Sequence, residues 1–119
     1  MKKILLFVIF SSLMVCGCQF DTTTTVNANN SVLWVQDFIS EKSAKAVENP
    51  PASISICTYQ NEVAYYVPAP CCDQFSSLYS IKREVICYPG GGSAGQGDGR
   101  CPDFDTAQAG CQEIWRDPR

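Results

Sequence analysis

Histidine is missing from all 119 residues. Serine and cysteine nucleophiles usually take imidazole as their base, so a hydrolase of the triad or Cys–His kind has no base to work with. Paired C-x-x-C units are missing as well. Without them or histidine, a zinc site lacks its usual ligand spacing and thioredoxin-type redox chemistry lacks its motif. Basic side chains are few, nine Lys and Arg against twelve Asp and Glu. That balance argues against nucleic acid as a partner, because grip on a phosphate backbone needs cations. Asp73, Asp98, Asp103 and Asp105 are available for two-carboxylate glycoside chemistry, but nothing in their spacing marks a pair. The expectation is a protein that is not an enzyme and carries no cofactor.

The single long apolar run opens the chain: "MKKILLFVIFSSLMVCGCQF". Lys2 and Lys3 precede apolar residues 4–15, the layout of a secretory signal peptide and too short for a membrane-spanning mature helix. Gly17 before Cys18, with Val15 three residues ahead of that cysteine, resembles the lipobox of bacterial lipoproteins. In that motif the cysteine after the cut carries acyl chains, palmitate among them, and becomes the new N-terminus. Cys16 is an atypical residue inside such a box. Cysteine parity agrees: Cys16 leaves with the signal and Cys18 takes the lipid, so Cys57, Cys71, Cys72, Cys87, Cys101 and Cys111 remain, an even set suited to disulfides in an oxidising compartment.

Residues 1–17 are therefore expected to be a lipoprotein signal peptide, residues 18–30 a polar lipid-anchored tether, and residues 31–119 one small disulfide-rich domain. Losing Lys2 and Lys3 leaves seven basic against twelve acidic side chains, a net charge of about −5 that gives anionic lipid no electrostatic hold. Membrane attachment would come from the acyl chains on Cys18, at roughly 0.8 kcal/mol per buried methylene. The implied location is a bacterial envelope, at the outer membrane or cell surface rather than the inner membrane.

Within the domain, "SVLWVQDFISEKSAKAVE" sets Trp34, Val35, Phe38, Ile39 and Ala46 at helical spacing, with Asn30 or Ser31 as N-cap and Pro50–Pro51 as the stop. "SISICTY" alternates, and "EVAYYV" returns with Val63, Tyr65 and Val67 on one face after a turn at residues 60–62, where Asn61 tolerates positive φ. Pro68 and Pro70 end that strand, and "EVICY" makes a third. The fold class expected is α+β, an N-terminal amphipathic helix on a short antiparallel sheet with a loop-rich C-terminal half.

That half contains "GGGSAGQGDG", with six of the chain's eight glycines, followed by "RCPDFD". A phosphate-cradling loop needs a helix directly after it and usually a lysine, and both are missing. Asp98, Asp103 and Asp105 are the weak candidates for a hard cation, although their spacing is not that of an EF-hand. Turn chemistry explains the same segment: glycines at positive φ, Asp98 and Asp103 bonding backbone amides, and Cys101 pinning the loop. Six cysteines allow 15 connectivities.

"NPPASI", "YYVPAPCCDQFSSLY", "ICYPGGG", "GQGDGRCPDF" and "IWRDPR" together resemble the bacterial lipoproteins of domain of unknown function family 6970, over nearly all of the chain from Trp34 onward. The resemblance implies an exported, often lipid-anchored domain and brings no activity, substrate or catalytic residue. Cys71, Cys72, Cys87 and Cys101 match the family pattern, while Cys57 and Cys111 have no clear counterpart. That asymmetry implies Cys57 paired with Cys111, and Cys71 and Cys72 paired separately with Cys87 and Cys101. The leading functional expectation is a binding module that presents "PAPCCDQF" and "GQGDGRCPDF" to an envelope protein, peptide or glycan. The alternatives are a structural or assembly lipoprotein and a cation-binding module.

Overall fold

The computed structural model describes residues 22–119, with side-chain surroundings from residue 33 onward. The signal segment, Cys16 and the acylation candidate Cys18 lie outside the described residues. One helix, α1 (Thr22–Ser43), precedes five strands: β1 (Ser53–Tyr59), β2 (Glu62–Val67), β3 (Phe75–Ser80), β4 (Val85–Gly91) and β5 (Gln112–Arg116). The strands form one sheet in the order β4-β3-β2-β1-β5, and all four pairings are antiparallel. No described helix is long and apolar enough to cross a membrane.

The helix begins at Thr22, inside the stretch expected to be a tether, and ends at Ser43. Threonine costs only a few tenths of a kcal/mol per helical residue relative to alanine, and extending an existing helix adds a hydrogen bond for each residue ordered. Ala46, expected on the buried helical face, lies beyond the helix end and is exposed. Trp34 and Phe38 are buried as the spacing predicts, and Val35 and Ile39 pack beside them.

The β1–β2 hairpin forms as expected, but Glu62, expected in the turn, is paired opposite Tyr59. Its two-residue turn places both Gln60 (φ 51°) and Asn61 (φ 64°) in the left-handed region, the geometry that matches strand twist. The sheet is larger than expected because two strands carry weak sequence signals. β3 (FSSLYS) is half serine and β5 (QEIWR) has two charged residues and a glutamine among its five, so neither shows a run of β-branched residues. β4 runs on through Pro89 into Gly90 and Gly91, a proline that a strand at the edge of a sheet tolerates.

Both faces of the sheet are covered. On one, Ile54, Tyr65 and partly buried Ile56, Val67 and Tyr79 meet Trp34 and Phe38 of α1. Trp34 stands edge-on to Tyr65 at 5.0 Å and donates its indole N–H to the Ile81 carbonyl at 3.2 Å. Trp115 docks on this side too, edge-on to Phe38 at 6.2 Å. On the other face, Cys57, Tyr59, Ala64, Leu78 and Cys87 are covered by the loop after β4, through Cys101 and Phe104.

The chain's last residues hold the helix end. Buried Asp117 accepts from the Arg119 side chain at 2.9 and 2.6 Å and from its backbone N–H at 3.1 Å. So oriented, the guanidinium donates to the carbonyls of Lys42 and Lys45, each at 3.1 Å, where a helix C-terminus presents unsatisfied oxygens and favours a cation. The hydrogen bonds from Arg119 hold the Asp117 carboxyl below the usual carboxylate range. A depressed native pKa contributes stability that is fully present above the unfolded value, about 3.9, and is lost as pH falls through the lower native one. Thermal melts of Asp117→Asn against the parent chain should therefore show a lower Tm at pH 7 and a difference that shrinks as pH falls below the unfolded value of about 3.9. A constant difference across that window would show that the charge on Asp117 is immaterial.

Candidate functional site

Two loops flank the sheet: residues 68–74 between β2 and β3, and residues 92–111 between β4 and β5. Pro68 and Pro70 bring the first loop off the end of β2, and the Ala69 N–H donates to the buried Ser76 hydroxyl at 3.0 Å. At its far end Gln74 donates to the Cys71 carbonyl at 3.3 Å and accepts from the Gly92 N–H at 3.1 Å, which couples the two loops. Gly91 sits against this contact: a Cβ there would lie 2.1 Å from the Gln74 carbonyl oxygen.

The disulfides correct part of the expected connectivity. Cys57 pairs with Cys111 as the family resemblance implied, but Cys87 pairs with Cys101, and Cys71 with its neighbour Cys72. Burial explains the difference. Cys87 is fully enclosed, stands opposite Leu78 in the sheet and faces the layer that brings in Cys101, whereas Cys71 and Cys72 are exposed. Sequence separations of 54 and 14 residues make the first two bonds real constraints on the unfolded chain, about 4 and about 3 kcal/mol in the loop-entropy description. A bond between adjacent residues closes no loop of chain and contributes almost nothing of this kind.

Between the last turns of α1 and the 68–74 loop lies a groove of about 520 Å³. Phe38, Tyr79 and Phe75 give it apolar surface, and Pro70 and Cys71 belong to its wall. Phe75 is 46% exposed. Four of its charged groups are paired, Lys42 with Glu48 at 2.6 Å and Arg83 with both oxygens of Glu41 at 3.0 and 3.1 Å, and Lys45 adds a further cation to the lining. Hydrogen bonding to Arg83 holds the Glu41 carboxyl below its ordinary value.

The glycine-rich segment folds back along the outer edge of β4. Gly97 donates to the Gly91 carbonyl at 3.1 Å and Asp98 to the Tyr88 carbonyl at 2.9 Å, so groups that an edge strand leaves unpaired are satisfied. Only glycine fits at position 97, where φ is +68° and a Cβ would meet the Tyr88 oxygen at 1.9 Å. A second hollow of about 420 Å³ lies here, lined by Pro89, Gln96, Gly97, Cys101 and Phe104 among others. The three aspartates named as weak cation candidates have separate tasks. Asp98 accepts from the Arg100 N–H as expected, but the other amide-bonding aspartate is Asp105, which accepts from the Ala107 and Gln108 N–H groups, while Asp103 accepts from the Tyr59 hydroxyl at 2.9 Å. No group of three acidic, cysteine or histidine side chains comes together to hold a metal among the described residues.

A family model for a domain of unknown function, DUF6970, matches residues 40–117. The chain belongs to the DUF6970 family. No curated relative and no solved structure matches it. The DUF6970 span starts near the end of α1 and includes all five strands, both loops and the six bonded cysteines. It leaves out Trp34 and Phe38, the helical residues that close the core on one face.

The groove was missed by sequence reasoning, because α1 and the 68–74 loop meet only through the sheet between them in the chain. The proline and cysteine cluster at residues 68–72 was the available signal. On the opposite face, the hydrogen bond to Asp103 raises the Tyr59 pKa above its ordinary value. Ultraviolet titration should show Tyr59 ionising above about pH 10. In Asp103→Asn that phenol should titrate earlier, and an unchanged curve would mean that the bond is absent in solution.

Proposed function

We propose that this protein is a lipid-anchored component of a bacterial cell envelope whose domain is a non-enzymatic interaction module for a protein, peptide or glycan. Anchoring is supported by the basic, apolar and small-residue progression that ends at Cys18. Acyl chains on Cys18 would hold the module at the outer membrane or cell surface.

The observation that carries the interaction reading is the 520 Å³ groove beside the 68–74 loop. Its size lies in the range of ligand clefts, about 300–1,000 Å³, and its mixture of aromatic and charged lining suits a ligand with apolar and polar parts. Phe75 at 46% exposure is an aromatic side chain available to a partner. Two features favour binding over catalysis. Both carboxylates of the lining are engaged by cations, Glu48 by Lys42 and Glu41 by Arg83, and Glu41 is shifted down, away from the raised pKa that a general acid needs near neutral pH.

A photoreactive amino acid placed at Phe75 should give a crosslinked adduct in intact cells, while the same probe at Val63, exposed and away from the groove, should give none. Monomer alone at both positions overturns the interaction reading. The anchor has its own check. The intact mass of protein extracted from its native envelope should equal residues 18–119 plus acyl chains, and an unlipidated mass removes the anchor.

A further inference from the structure

We propose that the Cys71–Cys72 disulfide is a thiol-exchange site, opened and closed by an external dithiol while the rest of the fold stays intact. Three observations lead there independently of any ligand in the groove.

The first is access. A thiolate must reach a disulfide sulfur to attack it, and of the three bonds only this one has both cysteines exposed. Cys87 is 0% exposed and Cys101 5%, and Cys57 at 3% shields one end of the remaining bond.

The second is dispensability. A staple stabilises a fold by closing a long loop, and a bond between neighbours in sequence closes none. The 68–74 loop is tied at both ends by other means: Ala69 to the Ser76 hydroxyl, and Gln74 to Gly92. Loss of the bond therefore leaves the sheet, the helix contacts and the other two disulfides in place. Re-closure needs no distant segment of chain to be brought back, because the two thiols stay on neighbouring residues.

The third is a local consequence. Cys72 has φ +61°, a left-handed conformation that residues with a side chain seldom adopt. Opening the ring frees Cys72 to leave it, and Cys71, part of the groove wall, moves with it. Exchange at this pair thus changes the surface that the groove presents.

The chemistry balances without another reactant. One thiolate of the dithiol attacks a sulfur of the pair, the S–S bond breaks, and the leaving thiolate takes a proton. The second thiol of the reagent then displaces the protein sulfur from the mixed disulfide. The protein cystine has gained two electrons and two protons, and the dithiol has become a disulfide.

The test is a timed titration of the folded, fully oxidised protein with dithiothreitol, quenched by alkylation and read by peptide mass. Label should appear on Cys71 and Cys72 at least about tenfold faster than on any other cysteine, with the tryptophan fluorescence of the doubly labelled species unchanged. Simultaneous labelling of all six disulfide-bonded cysteines, or earlier labelling of Cys57, Cys87, Cys101 or Cys111, overturns the proposal. So does loss of the native fluorescence as the first two thiols appear, since the bond would then be a staple. A Cys71→Ser/Cys72→Ser double variant gives a second readout: it should melt within a few degrees of the parent, and a collapse in Tm counts against the proposal.

Discussion

Strand β1 sits between two apolar environments, and its alternation is what both layers are built on. Ile54 and Ile56 point to α1, while Cys57 and Tyr59 point to the loop layer. Ile54 is entirely buried, and losing such a side chain to alanine in a packed core costs about 2–5 kcal/mol. The same strand pairs with β2 on one side and β5 on the other. Cys57 is bonded to Cys111, the Thr58 N–H donates to Ala109, and the Tyr59 hydroxyl reaches Asp103. A register slip of one residue would turn each of these groups to the wrong face at once.

A sheet apolar on both faces in so short a chain has to find two covers, and only one of them is regular secondary structure. The helix supplies large aromatic and aliphatic side chains. The other cover is a loop with little apolar surface of its own, Phe104 being its main aromatic contribution. It is held by a disulfide to β4, by hydrogen bonds along the β4 edge, and by aspartates that satisfy backbone amides. Covalent and polar ties do there what apolar burial does on the helix side. The glycine-rich composition follows, since a loop lying flat on an edge strand needs positive φ and room for backbone contact.

The groove is a by-product of this arrangement placed where the covers meet. One wall is the end of α1, fixed through Arg119 and Asp117; the other is the 68–74 loop, fixed through Ser76 and Gly92. The vicinal disulfide lies in the second wall, apart from the bonds that stabilise the fold. Stability and surface chemistry are thereby assigned to different cysteines, which parity alone could not distinguish.

Local pattern determined much of this fold. The helical spacing of Trp34 and Phe38, the alternation of β1 and β2, the positive φ of Asn61 in the turn between them and the turn role of Asp98 all depend on residues close in sequence, and each was legible there. What was illegible depends on partners far along the chain. β3 and β5 are strands because neighbours complete their hydrogen bonds, despite serine and charge in their sequences. Arg119 caps a helix more than seventy residues away, and Trp115 docks on Phe38. The pairing of Cys87 with Cys101, which left Cys71 to Cys72, was decided by which side chains the sheet turns inward. Sequence determines which way each local segment tends to fold, whereas disulfide partner, groove and cap are matters of distance in space, and only the packed chain sets those distances.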